Sequence, residues 1–223
     1  MNTRSQKMGK RCNWLWWFRL GLFFAGLIMM SYGVALMIRA NLGVSPWDVL
    51  YIGLTHSFGQ TVGLWSQITG ALLLLISSFL SKQLPTIGTL LNMLLVGWFI
   101  DWFLSTGDAS MPTGIYQYVS LLAGIIAIGV GAGMYIASNL GAGPRDGIML
   151  VLAEKSGWSI RKVKTVMEAV VLAAGWYLGG PVSIGTLVFA IMIGPVMQAC
   201  IHFFRALLAW LNRERKYSKN VTG

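Results

Sequence analysis

Seven polar residues stand out in an otherwise apolar chain: Asn41, Ser45, Asp48, Asn139, Arg145, Asp146 and Glu168. All but Glu168 fall in two versions of one short pattern, Asn41-Leu42-Gly43-Val44-Ser45-Pro46-Trp47-Asp48 and Asn139-Leu140-Gly141-Ala142-Gly143-Pro144-Arg145-Asp146. Carboxylates and side-chain amides can hold a cation or pass a proton, and an arginine can hold an anion or pair with a carboxylate. In a membrane such groups are costly, so they face a cavity or one another. Pro46 and Pro144 suit a first helical position, where the missing N–H would be unpaired anyway. Gly43 and Gly141 permit the sharp turn before each short helix, and Ser45 is a good N-cap with Asp48 three residues later.

A purely structural reading is also open, in which the asparagines and aspartates cap turns and hold helix N-termini. An ionised aspartate in a first turn offsets the positive end of the helix dipole. The spacing therefore favours cation or proton handling over a simple anion site. Glu168 lies seven residues beyond Arg161, about 10 Å along a helix. A lone charge there would cost ~2–3 kcal/mol, so it needs a partner. Lys164, one turn earlier, is the structural partner and Arg145 the functional one. Gln67, Asn92, Gln198, Asp101 and His202 read as helix-to-helix hydrogen bonds.

The elements that must position these residues are membrane helices. The chain has 223 residues, of which 56% are hydrophobic and 11% charged, with a mean hydropathy of +0.66. A soluble domain needs more polar surface. The net charge of +10 sits at the ends of apolar segments, in Arg4, Lys7, Lys10, Arg11 and Arg19, between Arg145 and Lys164, and in Arg205, Arg213, Arg215, Lys216 and Lys219. That distribution marks cytoplasmic loops rather than a nucleic-acid surface. Six apolar stretches are long enough to span, at about 15–38, 61–80, 86–104, 115–137, 163–180 and 182–204. Two more, at about 45–56 and 143–156, are too short and read as re-entrant or interfacial helices.

The two patterns belong to a whole-chain duplication. Position 41 corresponds to 139, Gly59 to Gly157, and Ile87-Gly88-Thr89-Leu90 to Ile184-Gly185-Thr186-Leu187, so the separation is 98 residues and then 97. The expected organisation is a basic cytoplasmic arm (1–13), repeat 1 (14–105), a connecting loop (106–114), repeat 2 (115–205) and a basic cytoplasmic tail (206–223). With three crossings per repeat the second copy is inverted, and every Lys and Arg except Arg39 falls on the cytoplasmic side. The expected fold is thus all-α, with about six transmembrane helices in two inverted three-helix repeats, each carrying one short Pro-initiated helix.

The sequence holds no HExxH, GxSxG or P-loop pattern and only two cysteines, Cys12 and Cys200. It gives no reason to expect enzyme chemistry, a metal or a cofactor. The two NLG-x-x-P-x-D elements and Ile184-Gly185-Thr186 after Gly179-Gly180-Pro181 resemble the YczE/YyaS/YitT family of bacterial integral membrane proteins, and its YczE-like branch most. The resemblance implies a polytopic protein of the bacterial cytoplasmic (inner) membrane and carries over no binding residues.

The architecture points to a small secondary transporter, such as a small-molecule exporter, with a polar site between inverted repeats. Its expected partners are the lipid bilayer, a small-molecule substrate and a coupling ion, proton or sodium, and the chain could form a homo-oligomer. A passive channel-like pore and a non-transporting accessory or scaffold protein are the alternatives.

Overall fold

The computed structural model describes residues 13–106, 113–141 and 143–221, with side chains between residues 14 and 212. The basic arm through Cys12, most of the connecting loop, Ala142 and the last two residues lie outside them. Eight helices are present among the described residues: α1 (Asn13–Ala40), α2 (Pro46–Phe58), α3 (Val62–Ser81), α4 (Ile87–Thr106), α5 (Ile115–Ser138), α6 (Pro144–Ser156), α7 (Ile160–Tyr177) and α8 (Ile184–Val221).

Local chemistry sets these boundaries. Asn41 and Asn139 adopt φ of 52° and 57°, the left-handed conformation that ends α1 and α5. Gly59 and Gly157, at φ of 73° and 69°, end α2 and α6. Ser45 caps α2 and accepts from the Asp48 backbone N–H, with Pro46 at the first helical position. Gly143 stands at the equivalent place before α6 and offers no side-chain cap.

Helices α1, α3, α4, α5 and α8 are long and apolar enough to cross a membrane by length and composition. The expected span at 163–180 falls on α7, which is not among them because Arg161, Lys162, Lys164 and Glu168 crowd its first half. The outside of the bundle is apolar. Leu75, Phe79, Trp176 and Tyr177 are each 70% exposed or more, a surface suited to lipid chains and not to water.

Helices α1 and α5 form the centre. About half of each span is buried, against less than a third for α3, α4 and α8. They cross antiparallel on glycine, because only a missing side chain lets backbones approach this closely. A Cβ at Gly26 would lie 2.7 Å from the Gly131 carbonyl oxygen, and one at Gly33 2.6 Å from that of Gly124. Around this crossing Phe23, Leu27, Met37, Ile125 and Ile128 make the core with Val96 and Ile100 of α4 and Phe189 of α8.

The short helices each pack on a long helix of the other half. Helix α2 lies hard against the end of α7. A Cβ on Gly53 would meet the Gly175 carbonyl oxygen at 2.6 Å, Gly180 abuts the Val49 carbonyl, His56 Nδ1 is 3.2 Å from the Gly179 oxygen, and Ser57 Oγ donates to the Leu178 carbonyl at 3.3 Å. Helix α6 meets α3 loosely. Ser77 Oγ is the nearest atom to a Cβ built on Gly147, at 3.8 Å. A groove of about 710 Å³ opens there between Ser77, Leu80, Ser81, Gly147, Val151 and Glu154.

Candidate functional site

The first turns of α2 and α6 meet. Trp47 and Arg145 are the second residues of their helices, and the Arg145 guanidinium carbon lies 4.8 Å from the centre of the Trp47 ring and 5.2 Å from that of Tyr51. Arg145 Nη2 also donates to the Tyr51 hydroxyl at 2.8 Å. The cation is thus held by two aromatic faces and one neutral oxygen. The two aspartates of these turns each receive a hydroxyl. Ser45 Oγ donates to Asp48 Oδ2 at 2.5 Å, and Tyr135 of α5 donates to Asp146 Oδ2 at 2.8 Å. Asp48 is only 2% exposed.

These residues border a cavity of about 190 Å³ to which all eight helices contribute. Its polar lining includes Ser45, Ser66, Asn92, Tyr135, Arg145, Asp146, Lys164 and Glu168. Its apolar walls are rich in methionine, with Met30, Met93, Met149, Met167 and Met197 joining Val96, Phe189 and Ile193. Flexible thioether side chains adapt to ligands of more than one shape. Asn92 is 5% exposed, and its Nδ2 has no hydrogen-bond partner among the described residues. A buried amide donor left unpaired costs about 1–3 kcal/mol. No group of three or more potential metal ligands occurs among the described residues.

Residues 17–202 match a family of unknown function, DUF6198. The chain belongs to this family. The resemblance carried by the duplicated motif holds as well. A Bacillus subtilis (strain 168) protein named "Uncharacterized membrane protein YczE" is 44% identical over 182 residues, covering 81% of this chain and 84% of that protein. An uncharacterized protein of Haemophilus influenzae is 34% identical over 85% of this chain and 84% of its own length. "Uncharacterized protein YyaS" of B. subtilis is 28% identical over 78% of this chain and 87% of its own. No solved structure matches.

In this DUF6198 chain the seven polar residues singled out in the sequence do not stay together. Ser45, Arg145, Asp146 and Glu168 line the cavity with Pro46 and Pro144. Asp48 sits just behind Ser45. Asn41 and Asn139 are exposed helix caps, so their role is to turn the chain. Gly43 and Gly141 likewise serve packing: a Cβ on Gly43 would meet the Thr186 backbone nitrogen at 2.8 Å, and one on Gly141 that of Thr89 at 2.6 Å. Glu168 pairs with Lys164 at 3.8 Å, the structural partner, while Arg145 is engaged by Tyr51 and Trp47.

The sequence reading missed Tyr51, Tyr135 and the methionine walls. Tyr51 is one helical turn from Trp47 and so shares its face, a signal that could have found it. Nothing local marks Tyr135, whose contact depends on how α5 meets α6.

Proposed function

We propose that this chain is a small secondary transporter of the bacterial cytoplasmic membrane, with its substrate site in the Arg145 cavity and its two halves inverted relative to each other. Helix α7 serves as the sixth span, with its four early charges at the cytoplasmic end. Three sets of contacts support the inversion. Gly26 corresponds by repeat to Gly124 and Gly33 to Gly131, yet Gly26 meets Gly131 and Gly33 meets Gly124. Such exchanged pairs are the mark of a two-fold axis, and between antiparallel spans that axis lies in the membrane plane. Gly88 packs on the Leu140 carbonyl, and its counterpart Gly185 donates its N–H to the Leu42 carbonyl at 2.7 Å. Trp47 and Arg145, themselves counterparts, touch each other.

The observation that carries the transport reading is an inequality between two interfaces that the duplication makes equivalent. The α2–α7 contact is closed by glycine packing and two cross-bonds. Its counterpart between α6 and α3 is an open groove lined by the corresponding positions: Gly147 for Val49, Val151 for Gly53, Glu154 for His56, Ser77 for Gly175. A duplicated chain that closes one interface and opens the other around a central cavity supports a reading in which the two interfaces open in turn, as alternating access requires. With the N-terminus cytoplasmic, the open side is the cytoplasmic one.

Proteoliposomes with an imposed proton or sodium gradient, screened with small organic anions, cations and zwitterions, test this. The expected outcome is uphill solute movement that collapses with the gradient and falls roughly tenfold or more in Glu168→Gln or Asp146→Asn, the coupling candidates. Downhill flux alone would instead indicate a pore. Absence of flux, together with a stoichiometric membrane partner on purification, would indicate an accessory protein.

A further inference from the structure

We infer that the ligand of the central cavity is a small amphipathic anion, a carboxylate or another compact oxyanion on an apolar body, whose charged group sits against Arg145 and Asn92. This rests on the substrate-site reading above and adds the ligand's chemistry. It also departs from the sequence expectation of cation or proton handling, which followed from the aspartates alone.

The argument is a matching of donors and acceptors. Each acidic group at the cavity already has a partner: Asp48 the Ser45 hydroxyl, Asp146 the Tyr135 hydroxyl, Glu168 the Lys164 ammonium. Arg145 and Asn92 add donors that no described residue fills, beside carboxylates that each keep further acceptor capacity. Arg145 makes no salt bridge among the described residues, and its one hydrogen bond, from Nη2, goes to a neutral hydroxyl. A guanidinium carries five N–H donors, and Arg145 lines the cavity with donors to spare. Asn92 Nδ2 is buried and unpaired. Asn92 also borders the start of α6, where its Oδ1 stands 3.4 Å from a Cβ built on Gly143.

Because Gly143 has no side-chain cap, the first-turn N–H groups of this thirteen-residue helix can meet an acceptor, beside the Asp146 carboxylate that offsets part of the helix dipole there. A ligand completing this set supplies oxygens and negative charge. The remaining walls are methionine, Phe189, Val96 and Ile193, which take an apolar body. The 190 Å³ volume is below the roughly 300–1,000 Å³ of drug-sized sites and keeps that body small.

Purified full-length protein, titrated calorimetrically in nanodiscs with phenylacetate, octanoate, phenylacetamide and phenethylamine, separates the possibilities. Saturable binding is expected for at least one carboxylate, at least tenfold tighter than for the amide or the amine. Arg145→Gln should weaken it roughly tenfold or more, as for a desolvated charge pair that loses one member. Asn92→Leu should weaken it while raising the melting temperature of the ligand-free protein, which shows that the variant folds.

Failure of both carboxylates to bind, preference for the amine, or unchanged carboxylate affinity in folded Arg145→Gln overturns the proposal. Carboxylate binding without gradient-driven flux would sink the transporter reading and leave this one standing. Gradient-driven movement of the amine would do the reverse.

Discussion

The two halves of the molecule share a scaffold and differ in what they put into the cavity. Equivalent positions line it from both sides: Ser45 and Gly143, Trp47 and Arg145, Tyr51 and Met149, Ser66 and Lys164, Gly70 and Glu168, Asn92 and Phe189. The first half contributes aromatic and neutral polar groups, whereas every charged residue of the lining comes from the second. The first half's own charge, Asp48, is withdrawn behind Ser45. The duplication thus kept the glycines and prolines that set backbone geometry and let the chemistry of the lining diverge. A lining so divided can hold one asymmetric ligand, its charged end against the charges of the second half.

The largest effects should fall on the shared scaffold, and equally on both halves. Gly26→Val would drive a Cβ to 2.7 Å from both the Gly131 carbonyl oxygen and the Tyr135 nitrogen, and backbone cannot yield as a side-chain tip can. Its counterpart Gly124→Val would meet the Gly33 carbonyl oxygen at 2.8 Å behind Met37. Each should lower stability by about 3 kcal/mol or more, the upper end of overpacking penalties, in equilibrium unfolding from mixed micelles. Costs differing by more than about 2 kcal/mol would break the claim that the halves are structurally equal partners.

Much of the scaffold was legible because its signals are local. Proline at a first helical position, serine before it and asparagine or glycine after the last turn act within a few residues, and the duplicated motif displayed them twice. Helix α7 was harder, since its charges and its apolar second half pull hydropathy in opposite directions. The site was only partly legible. Arg145 announced itself by replacing Trp47, but the contact between these two residues follows from how the halves dock. Tyr51 and Tyr135 correspond to Met149 and Met37, so the repeat comparison hid them. Their importance lies in the hydroxyls they offer to Arg145 and Asp146, partners distant in sequence or on another helix.

A smaller effect should separate the two helix starts. Ser45→Ala removes the cap of α2 and the hydroxyl donated to buried Asp48, at a cost of about 1–3 kcal/mol. At the equivalent place Gly143→Ala should be neutral or stabilising by up to ~1 kcal/mol. Gly143 has φ of −63°, which alanine adopts freely, and the new methyl group would meet Asn92 Oδ1 and Asp146 Oδ2 at an ordinary 3.4 Å. Thermal unfolding of the two variants checks this. Equal losses would mean that the start of α6 is as tightly held as that of α2 and has no open donors to offer a ligand.

The smallest effect concerns Glu168. Its partner Lys164 lies 3.8 Å away, with the two side chains 40% and 35% exposed for Lys164 and Glu168. An ion pair so open to its surroundings contributes ~0–1 kcal/mol, so Lys164→Gln should change stability by less than about 1 kcal/mol. A double-mutant cycle with Glu168→Gln should give a coupling of the same size, and one between Glu168 and Arg145 a coupling near zero. A weakly held carboxylate at the edge of the cavity can change partners at little energetic cost, as the coupling role proposed above requires. A Glu168–Arg145 coupling above about 2 kcal/mol would instead tie the carboxylate into the aromatic-held cation. The second half would then be a closed charge network, with no capacity left for an anionic ligand.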